Sequence, residues 1–387
     1  MNKIAFTAGI LTGAAVAGFF LFGPDLAERA MNRNTGASWA VSAEAQALHK
    51  RLTIVDLHAD TLMWKRDLLS ETTQGHVDLQ RLEAGNVALQ VFSSVTKTPR
   101  GQNYERNSGD TDNITPLVIA QMQPVRTWSS LVERSLYHAQ KLHDVEARSN
   151  GRLRIITSPA QLASLLADRA AGSHVTGALL STEGGQNLEG HLANVGRLYD
   201  AGFRMLGLAH FFDTELAGSM AGEKKGGLTP LGAAVVKEAE KRGMIIDLAH
   251  SSAAAFADAL KIATRPVVVS HGGVKGACES PRNLTDDQLR ALAANGGVIG
   301  IGYWDAAVCA PTPEATAKAI LYAIKVAGID HVGLGSDYDG ATTVGFDTAH
   351  IAAVTDALLK AGLSEGDIAK VMGGNAARLL AAGLAPR

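Results

Sequence analysis

The chain has 387 residues, 46% of them hydrophobic and 19% charged, with a formal net charge of -2. This is the balance of a compact soluble protein, one large domain or two ordinary ones, and it offers no basic field for nucleic acid. The two cysteines, Cys278 and Cys309, lie outside any Cys-x-x-Cys pattern, which excludes a zinc site built on cysteine.

In chain order, Lys3 precedes an apolar run from Ile4 to about Gly23, with no charge before Asp25. That is near the length that spans a bilayer, and a charged start before an apolar middle also resembles an export signal. Residues 1–24 are therefore expected to form a signal peptide or a membrane anchor, a buried soluble helix being the plainer alternative. Ala43-Glu-Ala45 is a weak cleavage signal, rather far downstream. Lys3 favours the N-terminus inside and the rest outside, so the protein is expected on the exported side, periplasmic or extracellular. Residues 25–50 read as a tether and lead-in, and residues 51–387 as one domain. On the exported side Cys278 and Cys309 can pair; two free buried thiols are the alternative.

From Arg51 onward a unit recurs: a short apolar run rich in branched residues, a polar residue at its end, then a helical pattern. Such alternation argues for βα units and a parallel sheet. Eight strands are expected, over 54–57, 87–93, 177–181, 205–209, 244–248, 267–270, 298–302 and 331–336, which makes the fold class α/β and the architecture a (β/α)8 TIM barrel. Thr285-Asp-Asp-Gln288 is a capping box, and Thr312-Pro313 places proline at a first helical position with Gly328 as the stop. Ser364 with Asp367 opens a last helix. The segment 100–149, polar and then helical over 117–146, is an elaboration after the second strand.

The strand ends carry the chemistry. The first gives His58 and Asp60, the third Glu183, the fourth His210, the fifth His250, the sixth His271 and the eighth Asp337. All fall at carboxyl ends, the face where barrel enzymes work. A lone histidine after a strand is usually structural, and His138, His143, His174, His191 and His350 are assigned nothing. Four strand-terminal histidines and three carboxylates on one face are not independent accidents. His, Asp and Glu without Cys suit Zn²⁺ and its neighbours. One ion needs three or four protein ligands, so this set invites two, with a carboxylate bridging ions about 3.5–4 Å apart. Such a pair holds a hydroxide and polarises a carbonyl, while a remaining carboxylate shuttles a proton. The residues alone thus point to metal-assisted hydrolysis on a barrel.

Val55-Asp-Leu-His-Ala-Asp60, Gly75-His-Val-Asp-Leu-Gln-Arg81, Ser181-Thr-Glu-Gly-Gly185, Asp247-Leu-Ala-His250, Val269-Ser-His271, Arg282-Asn283, Gly333-Leu-Gly-Ser-Asp-Tyr-Asp-Gly340 and Met372-Gly-Gly-Asn375 together resemble the membrane (renal) dipeptidase family of zinc peptidases, within the amidohydrolase barrels. The resemblance runs in order from about Arg51 to the C-terminus. It implies two Zn²⁺ per chain: His58 and Asp60 on one ion, Glu183 bridging, His250 and His271 on the other. It implies that His210 contacts substrate and stabilises the oxyanion. Arg282 resembles the arginine that holds a dipeptide's C-terminal carboxylate. Asp337 would take the proton from the bridging water and pass it to the leaving amine. It further implies dipeptide substrates with a free carboxylate, L-L and L-D, and possible pairing into homodimers. One departure stands out: where the family shows a small polar stretch with Asn, this chain has Phe211-Phe-Asp-Thr-Glu215, which is expected to line the substrate pocket.

Two other readings compete. A cyclic-amide hydrolase or deaminase of the amidohydrolase class commonly opens with His-x-His and often bridges its metals with a modified lysine; here the pattern is His58-x-Asp60 with Glu183. A non-catalytic binding protein on the same scaffold is the third, and the intact set of ligands with Asp337 counts against it.

Overall fold

A computed structural model describes the backbone of residues 3–36 and 38–384, and within them the side chains from residue 17 onward. Eight parallel strands close a ring: β1 (Ile54–Ala59), β2 (Val87–Val95), β3 (Thr176–Glu183), β4 (Phe203–Gly207), β5 (Ile245–Asp247), β6 (Val268–Gly272), β7 (Val298–Ile301) and β8 (Val332–Leu334). Closure is made by Leu334 of β8 beside Asp56 of β1, and by a seven-residue ladder of β2 on β3 from Leu89–Gly177 to Val95–Glu183. The protein is a TIM barrel. Its strands are buried on both faces, the rule for parallel sheets covered by helices. Leu57, Leu89, Val91, Leu179, Met205, Ile245, Val268 and Val298 form one apolar cluster, closed by Leu379 and Leu380 of the last helix. Residues of the other parity, such as Ile54, Phe92, Leu180, Ile246, Val269 and Ile299, pack with the surrounding helices.

All eight expected strands are present, with ends shifted by a few residues. A ninth, Leu153–Ile155, lies outside the ring on β3 and was not anticipated; three residues are too short to show a period. The expected single helix over 117–146 is divided into Ile114–Ala120, Arg126–Ser129 and Leu131–Arg148. The break has a local cause: Pro124 disfavours helical backbone at the residue before it, and Met122 turns left-handed at φ 53°. Ser130 then caps the third helix through its side chain on Glu133 N.

Residues 25–50, expected to form a tether and lead-in, touch the barrel at several points. Helix α1 (Lys3–Met31) continues past the apolar run, because 25–31 contains good helix formers. Arg33–Asn34 pairs in parallel with Thr343–Val344. Ser42 caps helix Ala43–His49 and donates to Asp356 Oδ1 at 2.7 Å. Among the described residues no helix is long and apolar enough to cross a membrane. Of the 1–24 segment expected to be a signal peptide or anchor, the side chains of residues 1–16 lie outside the described ones.

Cys278 and Cys309 are bridged, with Cα atoms 5.4 Å apart and a sequence separation of 31. A crosslink over that separation restricts the unfolded chain by about 3–4 kcal/mol in the loop-entropy picture. It also staples the loop after β6, which carries Arg282, to the segment after β7. Protein denatured without reductant is expected to show no titratable thiol; two thiols per chain would contradict the bridge.

Candidate metal centre

The seven strand-end residues meet at the carboxyl-terminal mouth. His58, Glu183 and His271 lie within β1, β3 and β6; Asp60, His210, His250 and Asp337 follow β1, β4, β5 and β8. Glu183 is the hub. Its Oε1 lies 2.9 Å from His250 Nε2, 3.3 Å from His271 Nε2 and 3.7 Å from His58 Nε2, and its Oε2 lies 3.4 Å from His210 Nε2. His58 Nε2 is 3.4 Å from Asp60 Oδ2, and the Nε2 atoms of His250 and His271 are 2.9 Å apart. Three groups, His58–Glu183–His271, Glu183–His210–His250 and His58–Asp60–Asp337, can each offer ligand atoms within 4.8 Å of one another.

The donor set fits metal. Nε2 of His58 and Oδ1 of Asp60 are buried without a hydrogen-bond partner among the described residues, and the Nε2 atoms of His250 and His271 face each other. Buried polar atoms left unpaired cost free energy, and lone pairs aimed at one another repel unless a proton or a cation stands between them. Burial pushes the His250 and His271 imidazoles well below their ordinary range, with Arg282 adding to the effect on both. Burial also lowers His210, to about 3, so these rings are neutral and present lone pairs. Burial, then Asp60, raises Glu183 well above the carboxylate range. Burial opposes charge on His58, but Asp60, Glu183 and then Asp337 outweigh it and push the ring up to about 10. Burial pushes Asp337 up to about 8, against the pull of His58. Carboxylates crowded in a dry pocket are what a divalent cation offsets.

The sequence reading missed the residues that hold this set in place. Asp56 accepts from His58 N at 3.0 Å and from Ser336 N at 3.2 Å; Asp247 accepts from Ala249 N and Ser270 N, each at 2.9 Å. Ser270 Oγ lies 2.9 Å from His271 Nδ1 and 3.3 Å from His58 Nδ1, fixing both rings from behind. The Asp-x-His and Asp-x-x-His spacings of 56–58 and 247–250 were the available signal. His250, Asp337, Asp339 and Ala341 adopt left-handed backbone, at φ 61°, 59°, 62° and 62°. Strain of this kind persists where surrounding contacts over-determine it. At Gly340 an added Cβ would fall against the Asp337 and Asp60 carboxylates, so the close turn requires glycine.

Arg282 is buried. Its Nη2 donates to His271 O at 2.8 Å, its Nε has no hydrogen-bond partner among the described residues, and its guanidinium carbon sits 5.8 Å from the Trp304 ring. Trp304 Nε1 in turn donates to Tyr104 Oη at 3.1 Å. His210 reaches Lys97 O only at 3.4 Å through Nδ1. Tyr104, His210 and Arg282 border a cavity of about 480 Å³ shared with Asp60, Glu183, His250 and Asp337. Phe211 lines it, as expected of the stretch after His210, whereas Asp213 organises its own loop by accepting from Ser219 N at 2.8 Å. Tyr303, just after β7, is buried against Tyr338 and Phe346 and does not line this cavity. His138 is structural, with Nδ1 2.8 Å from Ser94 Oγ.

A family model described as membrane dipeptidase, peptidase family M19, matches residues 42–383. The chain belongs to the membrane dipeptidase family. It is a metal-dependent dipeptidase, a hydrolase. A relative named dipeptidase verJ, from Clonostachys rogersoniana, is 31% identical over 312 residues, covering 79% of this chain and 75% of that protein. Dipeptidase aclJ of Aspergillus oryzae is 28% identical, covering 85% and 78%. Among solved structures, a probable dipeptidase PvdM from Pseudomonas aeruginosa superposes with a TM-score of 0.74 at 20% identity, over 88% of this chain and 98% of that one. A metallopeptidase from Rhodobacter sphaeroides, liganded with a phosphinate mimic of the dipeptide L-Ala-D-Ala, gives 0.69 at 22% identity, over 86% and 99%. At these identities the structural likeness speaks for the fold.

Proposed function

We propose that this dipeptidase holds two Zn²⁺ ions and hydrolyses dipeptides bearing a free C-terminal carboxylate, L-L and L-D alike. The observation that carries the reading is the convergence of His58, His250 and His271 on Glu183, with Asp60 against His58, and with buried atoms of His58 and Asp60 that have no hydrogen-bond partner among the described residues. His58 and Asp60 would hold one ion, His250 and His271 the other, and Glu183 both. Bound there, the pair supplies an acidified water and polarises the scissile carbonyl.

The rest is done by the chain's own side chains. Arg282 presents a planar fork to the substrate carboxylate. His210 turns Nε2 toward Glu183 at the cavity, and in the tautomer that carries its proton there it donates to the oxygen on which charge develops. Asp337, grouped with His58 and Asp60 at the mouth, accepts a proton from the attacking water and returns it to the leaving amine. A pocket that grips carboxylate and carbonyl need not read the second side chain closely, which favours tolerance of a D-residue. The Rhodobacter sphaeroides metallopeptidase, which carries an L-Ala-D-Ala mimic, supports that tolerance. The cyclic-amide and deaminase alternative is disfavoured by Asp60 and Glu183 at the positions where that class uses a second histidine and a modified lysine. Export, with anchoring through residues 1–24 where that segment is retained, belongs to the same reading; the apolar run and the bridged cysteines support it.

Glu183→Ala tests the shared ligand. It is expected to lose at least one ion per chain by elemental analysis, and dipeptide turnover by about a thousandfold or more. Full metal content with turnover near wild type would remove Glu183 from the centre.

A further inference from the structure

Helix α1 lies outside residues 42–383, the span that the family model matches, yet it reaches the active-site cavity. Phe19, Gly23, Ala27 and Met31 all line it. Their spacing of four places them on one stripe of the helix. Met63, Trp64, Val95, Ile114 and Leu117 line the same cavity beside α1, and Ala27 packs directly on their cluster.

The helix is keyed in place by charge. Arg66 donates through Nε to Glu28 Oε1 at 2.5 Å and pairs through Nη2 with Asp339. Asp339 also accepts from Thr61 Oγ1 at 2.7 Å and His76 N at 2.6 Å. Asn32 Oδ1 accepts from Ala341 N at 2.9 Å. The C-terminal end of α1 is thereby fixed to the loop that carries Asp337.

We propose that Ala27 and Met31 of α1, which lie beyond the 1–24 segment, are specificity-determining residues, forming an apolar wall that receives the side chain of the substrate's N-terminal residue. The inference rests on the dipeptidase reading and deepens it. Arg282 follows β6, which stands across the ring from β2. A dipeptide whose carboxylate is held at Arg282 and whose scissile bond lies over Glu183 therefore extends its first residue toward β1, β2 and α1. There the lining is apolar, so a leucine-like side chain gains burial that glycine does not.

The test compares kcat/KM for Leu-Ala and Gly-Ala in the full chain. The wild type is expected to favour Leu-Ala by tenfold or more, and Ala27→Trp, which fills the wall, to reduce that ratio at least fivefold. Met31→Ser, at a position that tolerates polarity, is expected to lower the ratio in the same direction without filling the cavity. A ratio unmoved by both variants overturns the proposal. A wild type that cleaves neither dipeptide overturns the functional reading instead. The wall is then judged with anilinonaphthalene sulfonate: its cavity fluorescence should fall in Ala27→Trp, and equal dye binding by wild type and variant overturns the wall.

Discussion

Asp337→Asn is expected to retain its metal and to lose turnover by about 10²–10⁴-fold, the usual contribution of a positioned proton shuttle. The substitution keeps the shape of the side chain and removes its capacity to take a proton. Burial holds the Asp337 carboxyl up to about 8, with His58 and Arg282 drawing it down and Asp60 pushing it up. Its place beside His58 and Asp60 puts it within reach of the attacking water and of the amine that leaves. The tight turn at Gly340 fixes where the group sits. The check pairs elemental analysis with steady-state rates on one dipeptide. Turnover near wild type would remove Asp337 from the proton path, whereas loss of metal together with activity would make it a ligand.

Arg282→Ala is expected to raise KM by about a hundredfold or more for substrates with a free carboxylate, with a smaller change in kcat. Removing one partner of a buried charge pair commonly costs about 2–5 kcal/mol. Arg282 is buried and already engaged with His271 O, so the ligand histidine shares its environment. Dipeptide amides separate the two roles. They lack the charge that Arg282 reads, so the variant should scarcely change their KM. An equal rise for acids and amides would refute carboxylate recognition and leave Arg282 as a support for His271.

Much of this site could be read from the sequence because a TIM barrel converts chain order into geometry. Each strand delivers its last residues to one face, so His58, Asp60, Glu183, His210, His250, His271 and Asp337 needed no contact information to be grouped. The capping box at Thr285 and the proline start at Pro313 were legible for the same local reason. What escaped depends on contacts distant in sequence. Asp56 gains its meaning only when Ser336, 280 residues away, closes the ring beside it. The break near Pro124 is local and was overrun by an apolar period that continues on both sides. Helix α1 was read from its hydropathy alone, which says nothing of Glu28 finding Arg66 or of Ala27 packing under the β2 side of the mouth.

The most direct test of the central claim is the metal content of the purified full chain, paired with hydrolysis of a dipeptide before and after chelation. The account predicts about two zinc ions per chain, loss of cleavage on chelation and its return with added Zn²⁺. A chain that holds no tightly bound metal, or that cleaves dipeptides unaffected by chelation, would contradict it.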